Sequence, residues 1–173
     1  MRNCGHRGLS SSNRAGARGL SLIELLVTLV IVSILAAAAL PYAEATVRRE
    51  KELELRRALR DIRSAIDQFH DDWQAGRMAK STDGASDDGY PHTLRVLVEG
   101  VDKGDAKGGK RRYLRRIPHD PLAADPKLDP ELQWVLRGYQ DETDAIVWGR
   151  KDVYDLKSGS EATALDGTRY RDW

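Results

Sequence analysis

Arg18-Gly19-Leu20-Ser21-Leu22-Ile23-Glu24 leads into an apolar run, Leu25 to Ala43, in which the Tyr42 phenol is the only ionisable group. Glu24 is the residue that needs explaining. A carboxylate near the start of a membrane helix costs up to about 2.5–3.5 kcal/mol if it lies deep, and less at the interface. Three readings of the stretch are open from its residues. In a secretory signal peptide, Leu25 to Leu35 is the apolar core, with Ala36-Ala37-Ala38 or Ala43-Glu44-Ala45 as the small-residue cleavage site. A signal anchor would hold Glu24 at headgroup depth. A third reading removes a leader ending at Gly19 and keeps the apolar helix on the mature chain.

Outward from this stretch, charge is segregated. The chain has 173 residues, 32% of them charged, and nearly everything after Glu44 is polar or charged. One span plus one small exposed domain fits that division. Arg2, Arg7, Arg14 and Arg18 precede Leu20 without an accompanying acid, so removing these four from the formal +1 leaves −3. A chain of that charge has no general attraction to nucleic acid. The single cysteine, Cys4, lies in the same leader and leaves the mature domain with no intramolecular disulfide.

From Glu44 to Trp73 there is no Gly or Pro, and Ala, Leu, Glu and Arg predominate, so the helix continues. Leu55, Leu59, Ile62, Ile66, Phe69 and Trp73 recur in steps of four and three and define one apolar stripe, expected to pack under a globular domain. Arg49, Glu50, Arg56, Arg60, Arg63 and Asp67 are assigned to the opposite, solvated face, as is His70. Pro41 interrupts the apolar half, where it removes a backbone hydrogen bond and predicts a kink or the membrane exit. Gln74 to Gly89 reads as a loop, Tyr90 to Val98 as a short helix with Pro91 in its first turn, and Asp102 to Arg112 as a second loop. Gln133 to Tyr139, Ala145 to Trp148 and Asp152 to Leu156 are rich in β-formers and predict two or three short antiparallel strands.

The segment Gly19-Leu20-Ser21-Leu22-Ile23-Glu24, with Pro41 twenty-one residues after Leu20, resembles the processing motif of type IV prepilins. Leu20 stands where phenylalanine is usual and Ser21 where threonine is usual. Tyr113-Leu114 leading into Pro118-His119-Asp120-Pro121, and Tyr90-Pro91 before the short helix, resemble the major pseudopilin of type II secretion systems. The resemblance implies an α+β pilin-like fold, a long N-terminal helix with a membrane-spanning half and an amphipathic half packed on a small antiparallel sheet with a C-terminal loop. Its parts would be a prepilin leader (1–19), a transmembrane and filament-core helix (20–43), the amphipathic half (44–75) and a periplasmic globular domain (76–173). It implies cleavage after Gly19 by a prepilin peptidase, methylation of Leu20, and roles for Glu24 and Pro41 in assembly. Glu24 gains a physical reason: a free N-terminal ammonium on one subunit can neutralise the carboxylate of its neighbour inside an apolar filament core.

The implied protein is a non-enzymatic subunit, anchored once in the inner membrane with its C-terminal domain in the periplasm. Its partners would be other copies of itself in a pseudopilus filament, minor pseudopilins and the inner-membrane secretion platform. The resemblance further implies Ca²⁺ in the oxygen-rich tail, with Asp155, Leu156, Ser158, Asp166 and Asp172 as candidate ligands. The rival reading of the tail is a self-contained turn, Ala164 to Thr168, held by the Asp166 side chain. No H-E-x-x-H, G-x-S-x-G, Walker or paired-cysteine motif occurs. The basic run Lys103, Lys107, Lys110, Arg111, Arg112, Arg115 and Arg116 is the one feature pointing to nucleic acid, as in a pilin of a DNA-uptake machine; its only aromatic is Tyr113. A solvated face is the expected account of that run.

Overall fold

The computed structural model describes residues 21–79, 83–104, 108–143, 145 and 147–173. It divides into two units, Met1–Ala43 and Glu44–Trp173. Helix α1 runs Leu22–Gln74, with Glu24 in its first turn, where an acid favours the positive end of the helix dipole. The described side chains of its apolar part, from Leu22 to Leu35, are exposed. The length of Leu22 to Ala43 is about 33 Å at about 1.5 Å per residue, enough for a hydrocarbon layer of about 30 Å. Thr28 Oγ1 donates to the Leu25 carbonyl at 2.9 Å and Ser33 Oγ to that of Leu29 at 2.7 Å, so both hydroxyls are satisfied within the helix.

In the second unit, the expected stripe becomes the core. Leu55, Leu59, Ile62, Ile66 and Phe69 are buried, together with Ala58 and Ala65 between them. Trp73 departs from the expectation: it is 40% exposed, and its ring lies over Gly89, where a β-carbon would come within 2.4 Å of it. His70 departs in the other sense. It is half-buried, stacked on Tyr90 at 4.3 Å; its Nδ1 donates to the Gly89 carbonyl at 3.2 Å and its Nε2 accepts from Gln74 at 2.7 Å.

Helix α2, Leu94–Glu99, starts later than the sequence suggests, behind an extended Thr93, and buries Leu94 and Leu97. It stops at Gly100, whose φ of 81° and close approach to the Arg111 carbonyl exclude a β-carbon. The segment expected as a loop, Asp102 to Arg112, instead takes part in a small antiparallel pair, β1 (Val101–Asp102) with β2 (Lys110–Arg111). A 3₁₀ turn, Pro130–Gln133, leads into β3 (Trp134–Arg137), which pairs antiparallel with β4 (Asp155–Ser158) in the register Trp134 to Ser158. The strand expected at Ala145 to Trp148 is not formed by its described residues; Trp148 instead donates its indole N–H to the Asp152 carbonyl at 2.6 Å. Trp134, Leu136 and Leu156 face the helical stripe with Val153 and Tyr170. The architecture is α+β and pilin-like, a long N-terminal helix with small antiparallel two-stranded sheets.

Candidate functional site: the N-terminal segment and the C-terminal tail

Gly19 and Leu20, the expected processing and methylation residues, lie outside the described residues. Glu24 is exposed in the first turn of α1, and among the described residues it has no ion-pair partner. It is followed by exposed Leu25, Leu26, Val27, Leu29, Val30, Ile31 and Val32. Pro41 falls inside the helical span. The helix is thus long and apolar enough to cross a membrane, with one carboxylate near its start and, among the described residues, nothing burying its apolar window.

The tail sits against the polar margin of α1 within the second unit. Tyr170 is buried and donates its hydroxyl to Glu52 Oε1 at 2.8 Å, which also accepts the Leu165 backbone N–H at 2.7 Å. Arg48 reaches the Tyr170 hydroxyl at 3.3 Å and donates to the Thr163 carbonyl. Burial pushes the Tyr170 phenol up, and its contact with the phenol raises Arg48. Arg56 pairs with Asp166 at 3.3 Å and stacks over Trp173 at 4.2 Å. Arg63 donates to Asp155 Oδ1 at 2.8 Å, to the Leu156 carbonyl at 3.0 Å and to the main-chain oxygen of Trp173 at 2.9 Å. Arg48, Glu52, Arg56 and Arg63 therefore form one ladder at helical spacing, edging the apolar stripe.

The five residues expected to hold calcium are placed differently from one another. Asp155, Leu156, Ser158 and Asp172 border one cleft beside β4, with Arg63, Arg137, Lys157 and Arg171 in its walls; Asp166 is not among its lining residues. Ser158 is fully buried and donates its hydroxyl to Asp120 Oδ2 at 2.6 Å, while its oxygen accepts the Ser160 N–H at 3.1 Å. Asp166 Oδ1 accepts the Thr168 N–H at 2.9 Å and its hydroxyl at 2.6 Å; these bonds hold its carboxyl below the ordinary carboxylate range. That is the Asp166 turn of the rival reading. Asp172 is exposed beside Arg171 at 3.8 Å. Among the described residues, no group of three or more His, Cys, Asp or Glu side chains converges as a metal site.

The sequence marks Asp120 only as part of a turn, yet its carboxylate is the acceptor that fixes Ser158 and the Leu122 N–H. Arg48 and Glu52 were also missed; their four-residue spacing ahead of Arg56 was the available signal. Asp141 holds the β3–β4 connection by accepting the N–H groups of Gly138 and Gly149 at 2.7 and 3.0 Å, which lower its carboxyl, the Gly149 bond most.

The basic run is partly spoken for. Arg111 pairs at 2.5 Å with Asp72, buried near the end of α1, and Arg112 donates to the Glu99 carbonyl at 3.4 Å. Tyr113 donates its hydroxyl to the same Asp72 at 2.9 Å and lies edge-on to Phe69 at 5.4 Å. Burial, reinforced by Asp72, raises that phenol well above its ordinary value. The aromatic that a single strand would stack on is therefore turned inward.

Residues 14–40 match the family described as Prokaryotic N-terminal methylation motif. No curated protein and no solved structure matches the chain at a significant level. The motif supports a type IV pilin-like protein processed as a prepilin, and proteins with that motif are in general structural and polymerise with copies of themselves. The apolar helix is consistent with a membrane-anchored protein of that kind.

Proposed function

We propose that the chain is a structural subunit of a type II secretion pseudopilus. A prepilin peptidase cuts after Gly19 and methylates Leu20, and the mature subunit polymerises through the apolar half of α1. The observation that carries this reading is the methylation motif over residues 14–40 ending in an exposed apolar helix with one carboxylate, Glu24, at its start. A carboxylate there has a use in a polymer, where the next subunit's ammonium neutralises it, and only a cost in a lone anchor. The Tyr90-Pro91 and Pro118-His119-Asp120-Pro121 segments add the secretion-type resemblance. The subunit sits in the inner membrane with its C-terminal domain in the periplasm, and meets minor pseudopilins and the secretion platform.

The deciding experiment is the mass and N-terminal sequence of the mature protein. A start at N-methylated Leu20 is expected, and one at Ala39 or Thr46 would restore the ordinary signal peptide. Deleting the gene then separates secretion from the rival pilus or DNA-uptake role. Loss of exported protein with unchanged DNA uptake supports the secretion reading, and the opposite pattern supports the rival, whose specific observation is the exposed Lys110, Arg115 and Arg116.

A further inference from the structure

We propose that the guanidinium of Arg63 is the built-in cation of the C-terminal tail, taking the place for which the pseudopilin resemblance implies Ca²⁺, so that the tail folds without metal. The oxygen set is the observation. Asp155 Oδ1, the Leu156 carbonyl and the Trp173 main-chain oxygen, from both ends of the tail, converge on Arg63 at 2.8, 3.0 and 2.9 Å. Two of these belong to expected calcium ligands. A planar fork of N–H donors satisfies three oxygens in fixed directions and stays charged at every working pH.

The same donor set does not fit a calcium ion, which takes six to eight oxygens at about 2.3–2.6 Å. The second oxygen of Asp155 is held by Arg137 at 3.3 Å, so this carboxylate already faces two cations. A divalent ion would have to expel Arg63 and sit beside Arg137. Of the other expected ligands, the Ser158 hydroxyl is committed to Asp120 and the Asp166 carboxylate to Thr168 and Arg56, while Asp172 is exposed with Arg171 at 3.8 Å. This inference rests on tail contacts alone and is independent of whether the filament is a pseudopilus or a pilus.

The test uses the full chain in detergent, followed by thermal unfolding and by limited trypsin cleavage at Lys157, Arg169 and Arg171. Wild type is expected to melt at the same temperature in millimolar calcium and in EDTA. Arg63→Ala should speed tail cleavage by about ten- to a hundredfold, the scale of one lost charge-assisted network read through local opening. Arg63→Lys should recover only part of the protection, because one ammonium cannot span the three acceptors. If Arg63→Ala fails to fold, Asp155→Asn takes its place, with accelerated cleavage again expected. A calcium-dependent rise in the wild-type melting temperature would overturn the proposal, as would a tail equally protected in Arg63→Ala and wild type.

Discussion

The bond between Ser158 and Asp120 fixes the strand from which the tail departs, and breaking it should be measurable on its own. Ser158 Oγ donates to Asp120 Oδ2 at 2.6 Å, both residues are almost entirely buried, and no other acceptor for the hydroxyl is described. Ser158→Ala removes the donor and leaves a buried carboxylate oxygen short of a partner; a hydrogen bond to a charged group is worth about 1.5–3 kcal/mol. Asp120→Ala does more, since it orphans both the Ser158 hydroxyl and the Leu122 N–H, held at 2.8 Å, and each buried polar group left unsatisfied costs about 1–3 kcal/mol. In the double variant the hydroxyl and the carboxylate vanish together, so the loss should fall short of the sum of the singles by about 1–3 kcal/mol. Urea unfolding of the full chain in detergent, followed by tryptophan fluorescence, gives all four corners of the cycle, because Trp134 lies directly opposite Ser158 in the sheet. Strict additivity would refute the reasoning and mean that the hydroxyl contributes nothing beyond its volume.

Gly19→Val should leave a full-length, membrane-bound precursor on an immunoblot, because a branched side chain obstructs a close-fitting peptidase subsite; normal maturation would rule out cleavage there. Glu24→Leu should insert at least as well as wild type yet assemble poorly when filaments are sheared and counted, and an unchanged yield would make Glu24 an interfacial residue only. Asp141 and Asp166 have carboxyls held below the ordinary range, so the stability they contribute is complete above the unfolded value of about 3.9 and is lost as pH falls through the lower folded values. Melting temperature should therefore be flat down to about pH 5 and drop below about pH 4, with a shallower drop in Asp141→Asn; an identical acid limb in that variant would contradict the assignment.

What the sequence made legible was what repeats locally. The stripe from Leu55 to Phe69 could be read because a helix places residues three and four apart on one face, and each position reports on itself. Trp73 broke the rule because the core ends one turn earlier: Gly89 brings backbone against its ring, and no spacing within α1 encodes the arrival of a residue from the following loop. The β1–β2 pair was missed for a related reason. Lys110 and Arg111 are both exposed, so this strand carries no alternation for a pattern to find, and Arg111 is tied instead to Asp72 of α1.

The tail shows the limit more sharply. Oxygen donors spread over Asp155 to Asp172 suggest a cation, and the side chain that donates to Asp155 comes from Arg63, about ninety residues away in sequence. Charge alone places Arg63 on the solvated face, whereas its guanidinium donates to the Leu156 carbonyl and to the main-chain oxygen of Trp173. The same holds for Arg48 and Glu52, whose partners Thr163 and Tyr170 lie more than a hundred residues on. A helix face lined at four-residue steps with Arg, Glu, Arg and, further along, Arg is ambiguous between solvent and docking until an acid-rich and carbonyl-rich tail is brought to it. The discriminating feature is the neighbouring apolar stripe: a charged row at its very edge lies at the rim of whatever covers the stripe, and is therefore positioned to bind the covering segment.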